Sequence, residues 1–179
     1  MGSRPPSVSF KLVLLGDGPV GKTSLVLRYV NNVFSDKQEA TVQASYLTKR
    51  LVVEAALLVY DITDSDTFNR VTKWIKELQQ MASKDIVIAI AANKSDLVRL
   101  RSIDTQDAIS YAESIGANYF VTSAKAGTGI DGVFNDIAKR MTTEKRKSSA
   151  GGLLPSHQKN GVLIVDDEPE KEPPPKCCS

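Results

Sequence analysis

The stretch Gly16-Asp17-Gly18-Pro19-Val20-Gly21-Lys22-Thr23 decides the fold of this 179-residue chain. It directly follows the apolar run 10–15 and precedes the run 23–31, which has the composition of a helix. Strand, glycine loop and helix, in this order, are the context in which Gly-x-x-x-x-Gly-Lys-Thr binds phosphate. The backbone N–H groups of such a loop point inward and the helix start adds positive dipole, so both attract an anion. An ordinary glycine turn is the alternative, which these flanking elements disfavour.

Two residues at the end of the loop have predicted roles in binding a nucleotide. Lys22 would reach the β- and γ-phosphates, and the Thr23 hydroxyl would bind Mg²⁺. We therefore predict a nucleotide site that includes every residue of the loop and continues to Ser24.

The base is predicted by Asn93-Lys94-Ser95-Asp96, which follows the apolar run 86–92. The Asp96 carboxylate can accept hydrogen bonds from the ring N–H and the exocyclic amino group of guanine, and adenine has neither donor at those positions. A site built on such bonds rejects the wrong base by roughly 10⁴-fold or more, because its polar groups would be left unpaired. The aliphatic stem of Lys94 can lie along the plane of the base. We predict Asn93, Lys94 and Asp96 as guanine contacts.

A third motif supports the guanine interpretation. The predicted strand 119–122 ends in Ser123-Ala124-Lys125, and the backbone of this loop could contact the base oxygen. Taken alone, Asn-Lys-x-Asp is more often a turn at the end of a strand. Its place after a phosphate loop and before Ser-Ala-Lys favours a guanine pocket, and it disfavours an adenylate-type kinase as the alternative class of phosphate-loop protein.

These motifs, together with several others, resemble the Rab family of Ras-superfamily small GTPases. The resemblance includes Tyr60-Asp61-Ile62-Thr63-Asp64, Trp74 in a predicted helix and the terminal Cys177-Cys178-Ser179. Gln43–Lys49 and Ser110–Ser114 are most similar to the early-endosomal branch of the family. The resemblance implies a guanine-nucleotide-dependent switch in endosomal vesicle traffic that binds GDP or GTP with Mg²⁺ and hydrolyses GTP.

The resemblance also implies individual residues and partners. Thr41 matches the threonine that contacts Mg²⁺ and senses the γ-phosphate, and with Lys22 it forms the predicted catalytic set. Phe34 matches the aromatic residue against the guanine edge. Without the resemblance, Thr41 and Phe34 would be taken as a polar loop residue and a solvent-shielding side chain. The implied partners of this monomer are an exchange factor, an activating protein, a Rab escort protein and a GDP-dissociation inhibitor.

One family segment is missing from the sequence. The family places Asp-x-x-Gly, usually Asp-Thr-Ala-Gly-Gln, before the strand with Tyr60, and this chain has no Asp-x-x-Gly and no glycine between Gly21 and Gly116. In the family this segment orders a Mg²⁺-bound water, contacts the γ-phosphate and orients the attacking water. We place a deletion of a few dozen residues near 54–55 and expect impaired hydrolysis. The alternative is a non-enzymatic truncated isoform that binds nucleotide weakly or not at all and at most sequesters Rab regulators.

The predicted fold is α/β, an incomplete phosphate-loop fold with a doubly wound and mainly parallel sheet. The missing family strand would lie beside the strand 10–15, which we therefore expect to be an uncovered and aggregation-prone edge. We expect reduced stability as a result. Predicted strands cover 10–15, 46–53, 56–60, 86–91 and 119–122, and predicted helices cover 22–31, 66–81, 105–115 and 130–143.

Composition limits the remaining possibilities. The formal net charge is +2 and both signs are interspersed, so the sequence does not indicate a nucleic-acid-binding surface. No apolar run is long enough to span a membrane. The only histidine, His157, leaves no Ser-His-Asp or zinc constellation. We predict a flexible N-terminus over 1–9, a guanine-nucleotide-binding domain over 10–143 and a disordered tail over 144–179. Within that tail, 161–165 is an apolar island that we interpret as inert, with a docking segment as the alternative.

The final cysteines are predicted to carry prenyl groups. The C-a-a-X rule fails because Lys176 stands where it needs cysteine, whereas the pair Cys177 and Cys178 resembles the double-geranylgeranyl signal of the family. Two such chains give stable anchoring where one gives marginal binding. The protein would then be cytoplasmic and peripheral on early endosomal membranes. Incidental reduced thiols are the alternative interpretation.

Overall fold

The computed structural model describes residues 10–37, 54–82, 85–149 and 162–164. These residues form an alternation of strands and helices. In chain order the elements are β1 (Leu12–Leu15), α1 (Lys22–Asn31), β2 (Ala55–Asp61), α2 (Ser65–Met81), β3 (Val87–Asn93), a 3₁₀ helix (Ser95–Leu100), α3 (Thr105–Ser114), β4 (Asn118–Val121), α4 (Ile130–Ser149) and β5 (Val162–Ile164). The predicted strand 46–53 lies outside the described residues.

The strands form one parallel sheet in the order β4-β3-β2-β1-β5. β2 and β3 pair along their full lengths, from Ala55 opposite Val87 to Asp61 opposite Asn93. Because all strands run in the same direction, their carboxyl ends meet at one edge of the sheet. The predicted α/β class with a parallel sheet is confirmed.

Burial explains the layering of the fold. Every residue of β2 and β3 is buried, as expected for parallel strands with both faces covered. Alternate residues of a strand point to opposite faces, so Leu58 and Tyr60 pack against the layer of α2 and α3. Leu57 and Val59 pack against the other layer, which contains α1 and α4. Among the described residues, no helix is both long and apolar enough to cross a membrane.

The outer edge of β1 is occupied, so the prediction of an uncovered edge is wrong. β5 pairs with β1 in parallel, from Val162 opposite Leu12 to Ile164 opposite Leu14. These residues belong to the predicted disordered tail, and α4 also extends to Ser149, beyond its predicted end. At both places the structure has regular secondary structure where the sequence predicted disorder. A three-residue apolar run fits many open edges, so local pattern does not identify a partner strand about 150 positions away.

Candidate functional site

Three loops meet at the carboxyl edge of the sheet. The phosphate loop 16–23 follows β1, Asn93–Asp96 begins at the end of β3, and Ser123–Lys125 follows β4. In open α/β sheets, ligands bind in the crevice outside this edge. The topology therefore brings together three motifs that are widely separated in the sequence.

The glycines of the phosphate loop permit a backbone that other residues rarely adopt. Gly18 and Gly21 have φ of +58° and +94°, in the left-handed region where a Cβ is strained. A Cβ added to Gly21 would lie 2.5 Å from Nδ2 of Asn93, so glycine here lets the loop approach the end of β3. Helix α1 begins directly afterwards at Lys22, which brings the positive end of its dipole to the loop.

The ammonium group of Lys22 is held inside the loop. Lys22 is only 3% exposed, and its Nζ donates to the carbonyl oxygens of Gly16 at 2.6 Å and Gly18 at 3.4 Å. A buried ammonium in a glycine loop fits a polyphosphate, whose oxygens can accept short, charge-assisted hydrogen bonds. The predicted phosphate contact of Lys22 is therefore compatible with its position.

The donor set at this edge fits Mg²⁺ only together with a nucleotide. Magnesium in such sites takes one or two protein oxygens and several oxygens from phosphate and water. Thr23, half-buried, follows Lys22 at the start of α1 and can supply one hydroxyl. Within the described part of the chain, no group of three or more histidine, cysteine or carboxylate side chains could hold a metal alone.

Asn93 joins the phosphate side of the site to the base side. Its Nδ2 donates to the carbonyl oxygen of Val20 at 2.8 Å. Its Oδ1 accepts from the Thr122 hydroxyl and from the Ala124 N–H, both at 3.2 Å. Asn93 is 1% exposed, so the side chain predicted as a base contact is a buried link between two loops in this structure.

Lys94 forms an ion pair that the sequence motif did not predict. Its Nζ lies 2.6 Å from Oδ2 of Asp61, at the end of β2. The Thr63 N–H and hydroxyl donate to Oδ1 of the same carboxylate at 2.9 and 2.8 Å. Burial opposes ionisation of Asp61, but these hydrogen bonds outweigh it and hold the pKa of the carboxyl below its ordinary value of 3.8. The only signal in the sequence was a carboxylate ending a buried strand.

Asp96 is fixed by the loop that follows β4 and remains accessible. The Ser123 hydroxyl donates to Oδ1 of Asp96 at 2.5 Å, and the Ala126 N–H donates to the Ser123 hydroxyl at 2.9 Å. Asp96 itself is exposed, whereas Ser123 is fully buried. The carboxylate predicted to read the base is therefore oriented from the protein side and open on the solvent side.

Arg28 is a second contact that the motifs did not predict. From α1, its Nε donates to the Ala124 carbonyl at 2.9 Å and its Nη2 donates to the Lys125 carbonyl at 2.8 Å. Its guanidinium lies 5.9 Å from the ring centroid of Phe34. Arg28 therefore connects the Ser-Ala-Lys loop with the aromatic residue predicted to flank the base. An arginine on a helix is usually solvated, so the sequence pattern did not predict these contacts of Arg28.

The structure describes only some of the remaining residues that were predicted to have a function. Asp17, in the phosphate loop, pairs through Oδ2 with Nε of Arg70 from α2 at 3.1 Å, and Pro19 is exposed. Thr41 and the prenylation candidates Cys177 and Cys178 lie outside the described residues. Ser24 is half-buried in the first turn of α1.

Comparisons with known proteins agree with the fold. Residues 52–143 match the family described as "Ras family", and residues 11–56 match Roc, the "Ras of Complex" domain of DAPkinase. "Ras-related protein Rab-21" of Homo sapiens is 45% identical over 162 residues, covering 74% of this chain and 72% of its own length. The protein of that name from Geodia cydonium is 42% identical over 167 residues, covering 77% and 73%.

The similarity extends to distant organisms. "Ras-related protein Rab-21" of Dictyostelium discoideum is 40% identical over 162 residues, covering 74% of this chain and 76% of its own length. Identity and coverage of this extent show common ancestry, and the parallel sheet with a phosphate loop and a guanine-type motif at one edge agrees with it. The chain belongs to the Rab family of Ras-like small GTPases, the GTP hydrolases of membrane traffic, and is Rab-21-like.

Proposed function

We propose that this chain binds GDP and GTP selectively across the three loops at the carboxyl edge of its sheet. One observation carries the proposal: the buried Asn93 side chain connects the phosphate loop at Val20 with the Ser-Ala-Lys loop at Ala124. This link sets the spacing between the phosphate loop and the loop proposed to contact the base. A site whose loops are held by the protein's own hydrogen bonds loses less conformational freedom when a ligand binds.

The phosphate end of the proposed site supplies positive charge. Lys22 would contact the β- and γ-phosphates from its buried position in the loop. Thr23 would hold Mg²⁺ together with Thr41, a role that Thr41 takes by resemblance. Bound Mg²⁺ would neutralise charge on the phosphate oxygens.

The base end supplies selectivity. Asp96, oriented by Ser123, would accept the ring N–H and amino group of guanine. The aliphatic part of Lys94 would lie along the base, and Phe34 would cover its edge. ATP would leave Asp96 without these donors, and unpaired polar groups of this kind reject a wrong base strongly.

We infer that hydrolysis of GTP by this chain is slow. The aligned 74% of the chain is about 132 residues against 162 aligned positions, which supports a deletion of about 30 family positions. The sequence has no Asp-x-x-Gly, and the family's water-orienting glutamine belongs to that segment. In other GTPases, the arginine of an activating protein raises the rate of GTP hydrolysis by roughly 10³–10⁵-fold. We expect a much smaller increase for this chain, because it lacks the glutamine that orients the attacking water.

By family, regulators such as exchange factors, activating proteins and GDP-dissociation inhibitors are the expected partners. We propose that prenylation of Cys177 and Cys178, after capture by a Rab escort protein, places the chain on early endosomal membranes. Two prenyl chains give stable anchoring. A chain with both cysteines replaced by serine should remain in the supernatant when cell membranes are sedimented.

A second candidate function is that of a non-switching isoform. The missing Asp-x-x-Gly favours it, because the γ-phosphate then loses the backbone donor that would make the GTP form different from the GDP form. Such a chain would bind GDP and GTP equally and would at most occupy exchange factors or escort proteins. Pull-downs of relatives' effectors with GDP and with a GTP analogue discriminate the two functions, since only a switch binds differently in each state.

The deciding experiment is a titration of the full chain with fluorescent GDP, with and without Mg²⁺ and with ATP as competitor. We expect Mg²⁺-dependent binding that excess GTP, but not ATP, displaces. Asp96→Asn should lose guanine selectivity, whereas Asp107→Asn, an exposed change at the start of α3, should not. A soluble, monomeric chain without GDP binding would contradict the proposal.

A further inference from the structure

The phosphate loop carries an acidic side chain, that of Asp17. Asp17 lies between Gly16 and Gly18, whose carbonyl oxygens both accept from Nζ of Lys22. An aspartate carboxylate is ionised at neutral pH, so the loop holds a negative charge beside the position proposed for the phosphates of a nucleotide. By Coulomb's law, such a charge weakens the binding of an anion unless a cation offsets it.

A cation from α2 lies against this carboxylate. Nε of Arg70, in the second turn of α2, is 3.1 Å from Oδ2 of Asp17. Lys22 is the first residue of α1, which packs on one face of the sheet, whereas α2 packs on the other. The loop is therefore contacted by a basic side chain from each layer of the fold.

The exposure of this ion pair favours a role in binding over a role in folding. The side chains of Arg70 and Asp17 are 45% and 23% exposed, and an ion pair as exposed as this adds little to stability. Charge beside a binding site still matters, because it contributes to the potential that an approaching polyphosphate meets. With Arg70 in place, the charge of Asp17 is neutralised, and the positive charge of Lys22 is not opposed within the loop.

We propose that Arg70 is a positioning residue for polyphosphate binding, which acts by neutralising Asp17. This inference rests on the function proposed above and adds a residue from α2 to its phosphate end. It predicts that loss of Arg70 weakens binding and that the additional loss of the Asp17 charge restores it. A pair that only held the loop in place would behave differently, because the double variant would then be as impaired as either single variant.

The affinity of the full chain for fluorescent GDP tests this role. Arg70→Gln should raise the Kd roughly fivefold at low salt, and by less at about 1 M salt, where the Debye length is only about 3 Å. The double variant Asp17→Asn/Arg70→Gln should return the Kd to within about twofold of the unaltered chain, because the uncompensated charge is gone. Lys76→Gln removes an exposed charge from the same helix at a greater distance and is the matched control.

Urea unfolding distinguishes an effect on binding from an effect on the fold. The midpoints of Arg70→Gln, the double variant and Lys76→Gln should agree with that of the unaltered chain, because exposed ion pairs add little to stability. An Arg70→Gln chain that binds GDP as well as Lys76→Gln does would overturn the inference. A double variant that binds as weakly as Arg70→Gln would also overturn it.

Inorganic tripolyphosphate separates this inference from the proposed function, because it has phosphates and no base. In a calorimetric titration, the unaltered chain and the double variant should both bind tripolyphosphate more tightly than Arg70→Gln. This order in a chain that does not bind GDP would refute the proposed guanine site and support the role of Arg70. GDP binding that does not depend on Arg70 would support the proposed function and refute the inference. A chain that binds neither ligand would refute both.

Discussion

The two ends of the candidate site are held in different ways. At the base end, β3 pairs with neighbours on both sides, and Asn93, Ser123 and Arg28 tie its loops together with side-chain hydrogen bonds. At the phosphate end, four residues of β1 carry the loop, and three residues from about 150 positions away complete its outer side. The base end is fixed by side-chain hydrogen bonds between its loops, and the phosphate end has a three-residue strand on the outer side of β1.

This difference has a consequence for function. A change in β5 should disturb the phosphate loop while leaving the base contacts in place, because the base-end hydrogen bonds between described residues join α1, β3 and the loop after β4. Asn93 is the exception to this independence, since its amide reaches Val20 in the phosphate loop. The most disruptive single change should therefore be made at Asn93.

We predict that Asn93→Ala has the largest effect. It leaves the Thr122 hydroxyl and the Ala124 N–H without their acceptor and Val20 without its donor. Each buried group left unsatisfied costs about 1–3 kcal/mol, so we expect a clearly lower free energy of unfolding in urea and loss of measurable GDP binding. Asn118→Ala, which removes only an exposed contact to Asp136, is the control. An unfolding midpoint like that of the control would show that the two ends are not joined through Asn93.

The second-largest effect on stability is expected at Asp61, within the base end. Its pKa is lower in the folded protein than its ordinary value, so its ionised form stabilises the fold at pH values above that ordinary value, and this contribution is lost as pH falls through the lowered pKa. At pH 7, Asp61→Asn should cost about 1–3 kcal/mol, because hydrogen bonds to a charged group are lost.

Urea unfolding of both proteins between pH 7 and pH 3 measures this difference. The stability gap between wild type and Asp61→Asn should be constant near neutral pH and should narrow below the ordinary value of 3.8. Asp107→Asn provides the comparison for an exposed carboxylate on α3. A gap that does not depend on pH would mean that the pair with Lys94 is not what stabilises this end.

Much of this architecture could be predicted from the sequence, and the exceptions share a cause. The predicted helix 22–31 has the same first and last residues as α1, and the predicted α/β fold with a parallel sheet is confirmed. Both predictions follow from local sequence pattern and the position of the glycine loop. The β5 pairing, the Arg28 contacts and the Asp61–Lys94 pair were not predicted. Each joins segments far apart in sequence, and no local periodicity encodes which distant group will be the neighbour.

A smaller effect is expected at Arg28, which sharpens the comparison at the base end. Arg28→Lys keeps the charge but cannot reproduce the planar fork that donates to Ala124 and Lys125 together. We expect GDP dissociation to accelerate by roughly tenfold, the value of about one hydrogen bond. Arg140→Lys is the matched control, since Arg140 donates to the Ile88 carbonyl at the opposite end of β3. Equal dissociation rates in the two variants would remove Arg28 from the support of the base loop.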